Sequence, residues 1–235
     1  MKIKKLFDEL EAKYKKENGQ SIFDESGMIM IKENQKLNFG FFPAGSGIFV
    51  PNKSKIQEAE IEEGGAMILG NDFGTLTYLD KINNGDKIEG GSSTIRNLKK
   101  LGLENKSFHT NFYLGIRDDK THEGTTMTDR IAPLEQNYKS FCFRFFLKQL
   151  EIINPKVVVC LGHDVRLALA ENVQQFAIWK SKSISFKKLY STDNFVINVD
   201  DELGKRKFIV IPHPCFASNL KKNYVDKILK ELTLN

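Results

Sequence analysis

The chain has 235 residues, of which 40% are hydrophobic and 28% charged, a composition that is ordinary for a globular protein and excludes an intrinsically disordered one. This length suffices for one full core around a sheet, and we expect a single domain over residues 1–235. The 35 Lys+Arg against 30 Asp+Glu give a net charge of +5, which is compatible with a polyanionic partner but does not establish one.

Cysteine usage and hydropathy limit the class of protein further. The three cysteines are far apart in the sequence, which argues against a disulfide framework and against a metal or iron-sulfur ligand set. The start lacks the apolar run of a signal peptide, and no stretch reaches the ~18 consecutive apolar residues that a membrane span needs. We therefore expect a cytoplasmic monomer with no membrane association, no metal and no organic cofactor.

The predicted elements begin with an amphipathic helix. Its apolar residues, from Ile3 to Tyr14, recur at helical spacing among lysines and glutamates. We expect its apolar stripe to pack on the main body of the protein. It belongs to a helical and loop extension of about residues 1–60.

Four short apolar runs follow, each rich in β-forming residues and each ending in Gly, Asn or Pro-His, as buried parallel strands do. They lie at residues 66–69, 107–112, 156–161 and 208–211. Helical patterns occur at residues 94–101, 138–153, 165–170 and 224–232. The alternation predicts an α/β fold, a three-layer sandwich with a mostly parallel central sheet of about four strands and helices on both faces. We interpret residues 174–206 as an inserted hairpin region.

Three of the runs lead into polar residues at the carboxyl edge of this sheet, where ligands bind in such folds. Asp72 lies in a glycine-flanked turn, where a carboxylate can orient a water or offset a positive charge. Asn111 offers both a donor and an acceptor, the pair needed to read a nucleobase edge. His213 is held between two prolines and can donate to an oxygen on which charge develops. Each has a structural alternative as a cap or turn former, and their joint occurrence favours a site.

Two short motifs and the internal asparagine carry a family resemblance. The segment GNDFG at residues 70–74 looks like a motif of the type Gly-x-Asp/Asn/Glu-Pro-Tyr/Gly, and HPC at residues 213–215 looks like a late His-Pro-Ser motif. The dipeptide Thr110-Asn111 and the strand KVVVCLG are similar to the middle section of the same family pattern. In this order, over roughly residues 62–232, they resemble the uracil-DNA glycosylase superfamily.

The resemblance implies a DNA glycosylase of base excision repair. Such an enzyme flips a nucleotide out of DNA and hydrolyses the N-glycosidic bond of uracil or a related damaged base, through a cationic sugar and an anionic base. Asp72 would place water and offset charge on the sugar side. Asn111 would read the base edge, and His213 would stabilise the departing base anion.

The resemblance also suggests further contacts and leaves alternatives open. The candidates for base stacking are Phe73 and Tyr78, and those for DNA contact are Phe216 as an apolar wedge, Asn219, Lys221 and Lys222. Core packing or a solvated face would explain most of these residues equally well. His163 is a further candidate for a ligand contact.

Phe73 replaces the usual Pro and Cys215 the usual Ser, and Gly74 stands where the most uracil-selective branch of the family has a tyrosine, so base selectivity is left open. A superfamily member that binds nucleic acid or a nucleotide without cutting is therefore an alternative. A second alternative is an unrelated doubly wound hydrolase, although no P-loop, GxSxG elbow or HExxH helix supports a specific version of it.

Overall fold

The computed structural model describes residues 3–26, 28, 64–72, 94, 96–103, 107–117, 136–200, 203–214 and 222–233. The strands within them are Ala66–Gly70 (β1), Ser107–Asn111 (β2), Val157–Leu161 (β3), Val196–Val199 (β4) and Arg206–Ile211 (β5). The helices are Ile3–Lys16 (α1), Gly19–Ser26 (α2), Gln136–Ile153 (α3), His163–Asn172 (α4), Phe186–Ser191 (α5) and Lys222–Leu232 (α6), with a 3-10 helix at Gln174–Trp179. None of these helices is long and apolar enough to cross a membrane.

The strands form one sheet in the order β2-β1-β3-β5-β4. The first four of these strands are parallel, and β4 pairs antiparallel with β5 at the edge. Because β3 is apolar and buried at every residue, both faces of the sheet are covered, as in a three-layer α/β sandwich. The predicted fold class is confirmed. The sheet has five strands rather than about four, because the short and partly exposed β4 lacks the buried apolar run that marked the others.

The region of residues 174–206 differs from the predicted hairpin. Only its last part pairs as a hairpin, through β4 and β5. Its first part is helical because Phe176 and Trp179, three residues apart, turn the same way into the core and stack with ring centroids 5.1 Å apart. Ser185 then caps α5 by accepting a hydrogen bond from the backbone N–H of Lys188 at 3.2 Å.

The N-terminal helices pack against α3, the longest helix among the described residues. On α1, Leu6 and Leu10 are fully buried, and Tyr14 meets the ring of Phe141 edge-on at 6.1 Å. An ion pair of 2.8 Å between Arg144 and Glu17 closes the rim of this contact. The predicted docking of the first helix on the main body is confirmed, whereas α2 had no counterpart in the sequence prediction.

Candidate active site at the carboxyl edge of the sheet

The four parallel strands end at one edge of the sheet, and each is followed there by polar residues. Register fixes this alignment, since Gly70 at the end of β1 pairs with Asn111 at the end of β2. On the other side, Leu161 at the end of β3 pairs with Ile211 at the end of β5. From β1 the chain first forms β2 on one side of β1 and then crosses to form β3 on the other side. The direction in which strands are added therefore reverses at β1. Such a reversal is where ligands bind in open α/β sheets.

Asp72, which follows β1, is held by a buried ion pair with Arg117. Nε of Arg117 lies 3.2 Å from Oδ2 of Asp72, and Nη2 donates to Oδ1 at 3.3 Å. Asn71 adds a hydrogen bond from Nδ2 to Oδ2 at 3.1 Å. Both side chains of the ion pair are only 3% exposed. The hydrogen bond from Nη2 and the close ion-pair contact of Nε therefore hold the carboxylate at the edge of the sheet.

Asn111 lies across the backbone of the neighbouring strand. A Cβ atom at Gly70 would overlap with Oδ1 of Asn111, so the amide occupies space that only glycine leaves open. The backbone ladder continues past the strand ends, since the N–H groups of Phe112 and Tyr113 donate to Gly70 and Asn71 at 2.9 and 2.8 Å. Within the part of the chain that the structure describes, the half-buried Asn111 amide makes no side-chain hydrogen bond, and its donor and acceptor are available to a ligand.

His213, after β5, packs on a glycine that follows β3. Gly162 has φ +91°, and a Cβ atom built there would lie 3.2 Å from Cβ of His213. The next carbonyl, that of Pro214, accepts a hydrogen bond from Nδ2 of Asn97 at 2.6 Å. The imidazole is thus fixed by its neighbours as well as by the flanking prolines.

Burial lowers the pKa of His213, and the charges of Asp72 and Asp164 oppose that effect only in part. The imidazole is therefore neutral at pH 7, with one ring nitrogen as donor and the other as acceptor. Asp72 and His213 follow β1 and β5, the two strands that flank β3 in the sheet. The structure therefore brings the three predicted residues, Asp72, Asn111 and His213, to one edge.

The structure adds two residues near this edge that the sequence analysis missed. Asp164, in the first turn of α4, acts electrostatically on both His213 and Tyr113. Tyr113 is 3% exposed, and burial first, then nearby acidic groups, raise the pKa of its hydroxyl well above the ordinary value. A carboxylate two residues after the glycine that follows β3 was the available signal for Asp164.

The remaining predicted contacts are only partly within the described structure. His163 lies 3.2 Å through Nε2 from the carbonyl oxygen of Lys182 and 3.4 Å through Nδ1 from Asp164 Oδ1, so both ring nitrogens face groups of the protein itself. Lys222 is exposed at the first position of α6. The predictions for Phe73, Tyr78, Phe216, Asn219 and Lys221, like the departures at Gly74 and Cys215, fall outside the described residues.

Neither a metal-binding cluster nor a similar protein assigns a function to this site. The described residues contain no group of three or more His, Cys, Asp or Glu side chains that would hold a metal ion. Comparison with protein-family models gave no match, and comparison with curated protein sequences gave none either.

Proposed function

We propose that this protein is a DNA N-glycosylase of the uracil-DNA glycosylase type, which excises uracil or a related damaged base. One observation carries the proposal: a carboxylate, an amide and a neutral imidazole lie at the same carboxyl edge, on loops that follow different strands. Asp72 follows β1, Asn111 ends β2 and His213 follows β5. These are the three kinds of group that the reaction needs, on a rigid scaffold.

Base excision breaks the bond between the sugar carbon and the base nitrogen, and water adds to the sugar. Positive charge develops on the sugar and negative charge on the departing base, so the site must stabilise both. Asp72 acts on the sugar side. Its carboxylate, held at the edge by hydrogen bonds from Arg117 and Asn71, carries the negative charge that offsets the positive charge on the sugar and can orient the attacking water.

Asn111 and His213 act on the base: Asn111 recognises its edge, and His213 stabilises the departing anion. An amide presents a donor and an acceptor together and can pair with the N–H and C=O of a uracil edge. A neutral imidazole donates one hydrogen bond to the oxygen on which the negative charge accumulates. We place the enzyme in the cytoplasm as a monomer with damaged or uracil-containing DNA as its partner.

The proposal is tested with a panel of oligonucleotides that carry single lesions, in single- and double-stranded form. The protein is incubated in excess over each oligonucleotide, and abasic sites are detected by alkaline cleavage, with chromatography of the released base. We expect abasic sites with uracil or at least one other lesion. Asp8→Asn, an exposed change on α1, serves as a matched control for variants of the site. Absence of base release from the whole panel would refute the glycosylase function.

A second candidate function is binding of nucleic acid or a nucleotide without cleavage. The buried ion pair of Asp72 with Arg117 favours this candidate. A carboxylate that is only 3% exposed and ion-paired can have a structural role alone, with no part in catalysis. This candidate predicts binding of oligonucleotides without release of free base. The lesion panel, combined with a binding measurement on the same preparations, separates the two functions.

A further inference from the structure

A lysine-rich surface lies beside the candidate site, on the segment that connects β3 to β4. We call it the lysine loop, residues 180–188, with the exposed side chains of Lys180, Lys182, Lys187 and Lys188. No Asp or Glu occurs from residue 172 to residue 192, although the chain has 30 acidic residues. The loop therefore carries four positive charges with no acidic residue of its own.

Several other described lysines form ion pairs, unlike those of the lysine loop. Lys207 pairs with Glu231 at 2.9 Å, Lys227 pairs with Asp193 at 2.6 Å, and Lys148 pairs with Glu151 at 2.6 Å. Among the described residues, no carboxylate lies within ion-pair distance of the four lysines of the loop. Their charge is thus not neutralised by this part of the protein and is available to an anionic partner.

The backbone of the lysine loop is fixed by a buried arginine. Arg166 on α4 is fully buried and donates to the carbonyl oxygens of Trp179 at 2.6 Å, Ser181 at 3.2 Å and Ile184 at 2.8 Å. The indole of Trp179 in turn donates to the carbonyl oxygen of Asn194 at 2.7 Å. These hydrogen bonds from one guanidinium group fix the backbone conformation of residues 179–184, so the loop is a rigid support for its lysines.

The lysine loop is also joined to the candidate site. Nε2 of His163 lies 3.2 Å from the carbonyl oxygen of Lys182, and His163 directly follows Gly162, on which His213 packs. Lys182 is therefore linked, through His163 and Gly162, to the segment that carries His213. The lysine loop thus lies next to the carboxyl edge of the sheet.

We propose that the lysine loop binds backbone phosphates of the DNA strand whose base enters the candidate site. This inference rests on the proposed function for the identity of the polyanion. Lysines contact phosphates as point charges, and exposed serine hydroxyls, such as the Ser181–Ser183 pair at 2.8 Å, add donors. An anionic membrane fits less well, since Ile178 is the one large apolar side chain exposed near the loop among the described residues, and an interfacial surface needs a wide apolar face.

The test uses two double variants of the loop. One combines Lys180→Ala and Lys182→Ala, and the other combines Lys187→Ala and Lys188→Ala. The matched control is Lys15→Ala with Lys16→Ala, which removes the same charge from exposed positions of α1. Binding of a labelled, undamaged duplex is measured by fluorescence anisotropy over a range of salt concentrations. Each phosphate contact contributes about 0.9 to the slope of log K against log salt. We expect a slope shallower by up to about 1.8 for each loop variant and an unchanged slope for the control.

The outcomes separate this inference from the proposed function. Loop variants that match the control, wild-type protein that does not bind DNA, or wild-type protein that binds only phosphatidylserine vesicles would each overturn the inference. Base release by the wild type is measured independently on the lesion panel. Loop-dependent DNA binding without base release would support the inference and refute the glycosylase function. Melting temperatures close to wild type confirm that the variants fold.

Discussion

The ion pair between Asp72 and Arg117 gives the sharpest quantitative prediction for the site. Its two N–O distances are 3.2 and 3.3 Å, and both side chains are 3% exposed. With an effective dielectric constant of about 20 and charges about 4 Å apart, the attraction amounts to about 4 kcal/mol. Either Asp72→Asn or Arg117→Met leaves one charge buried without its counter-charge, and we expect each to lower the free energy of unfolding by about 3–5 kcal/mol.

A double-mutant cycle measures this coupling. The double variant should cost little more than either single change, because it buries no lone charge. Urea unfolding at pH 7 provides the free energies, and the exposed pair of Lys15 with Glu11 serves as a control that should contribute less than about 1 kcal/mol. Additive losses, or single losses below about 1 kcal/mol, would show that the pair is screened by solvent and would refute the assigned role of Arg117.

Two glycines at the site and a buried histidine of β2 give three further predictions. Gly162→Ala places a side chain at φ +91° and 3.2 Å from His213, so we expect urea unfolding to show a loss of about 1–3 kcal/mol. Gly70→Ala displaces the Asn111 amide, and base release should fall more than melting temperature does; equal losses would remove Asn111 from base recognition. Burial lowers the pKa of His109 to about 4, below the unfolded value near 6.5. The unfolded chain therefore binds the proton first, and stability falls by about 3 kcal/mol as pH drops from 6.5 to 4. Between pH 7 and 4.5, the free energy of unfolding measured in urea should fall less in His109→Gln than in the wild type. An equal fall would contradict this assignment.

The sequence predicted the buried strands well and the exposed or short elements poorly. The run KVVVCLG marked β3 to within one residue, because a strand buried on both faces is apolar throughout. By contrast, β4 is half exposed, and its sequence VINV gives no comparable signal. The helix α5 has only six residues, too few to be stable alone, so it depends on tertiary contacts that no local pattern reveals.

The candidate site shows the same division between local and long-range information. The order of Asp72, Asn111 and His213 at strand ends was sufficient to place them at one edge, because parallel strands share a carboxyl edge. The partner of Asp72 was not predictable, since Arg117 lies 45 residues away and meets it only through the fold. The anchoring of residues 179–184 by Arg166 was hidden for the same reason, because a buried arginine in a helix resembles an exposed one in sequence.

The central claim is that the carboxyl edge excises a base, and the single-turnover rate of His213→Ala tests it most directly. The wild type and His213→Ala are compared with enzyme in excess on the lesion that the wild type processes best, with melting temperature and DNA binding measured on the same preparations. We expect the rate of base release to fall ~10²–10³-fold while both other quantities stay close to wild type, because the imidazole acts on charge that appears only in the transition state. A wild-type rate in His213→Ala, or a loss explained entirely by unfolding, would contradict the proposal.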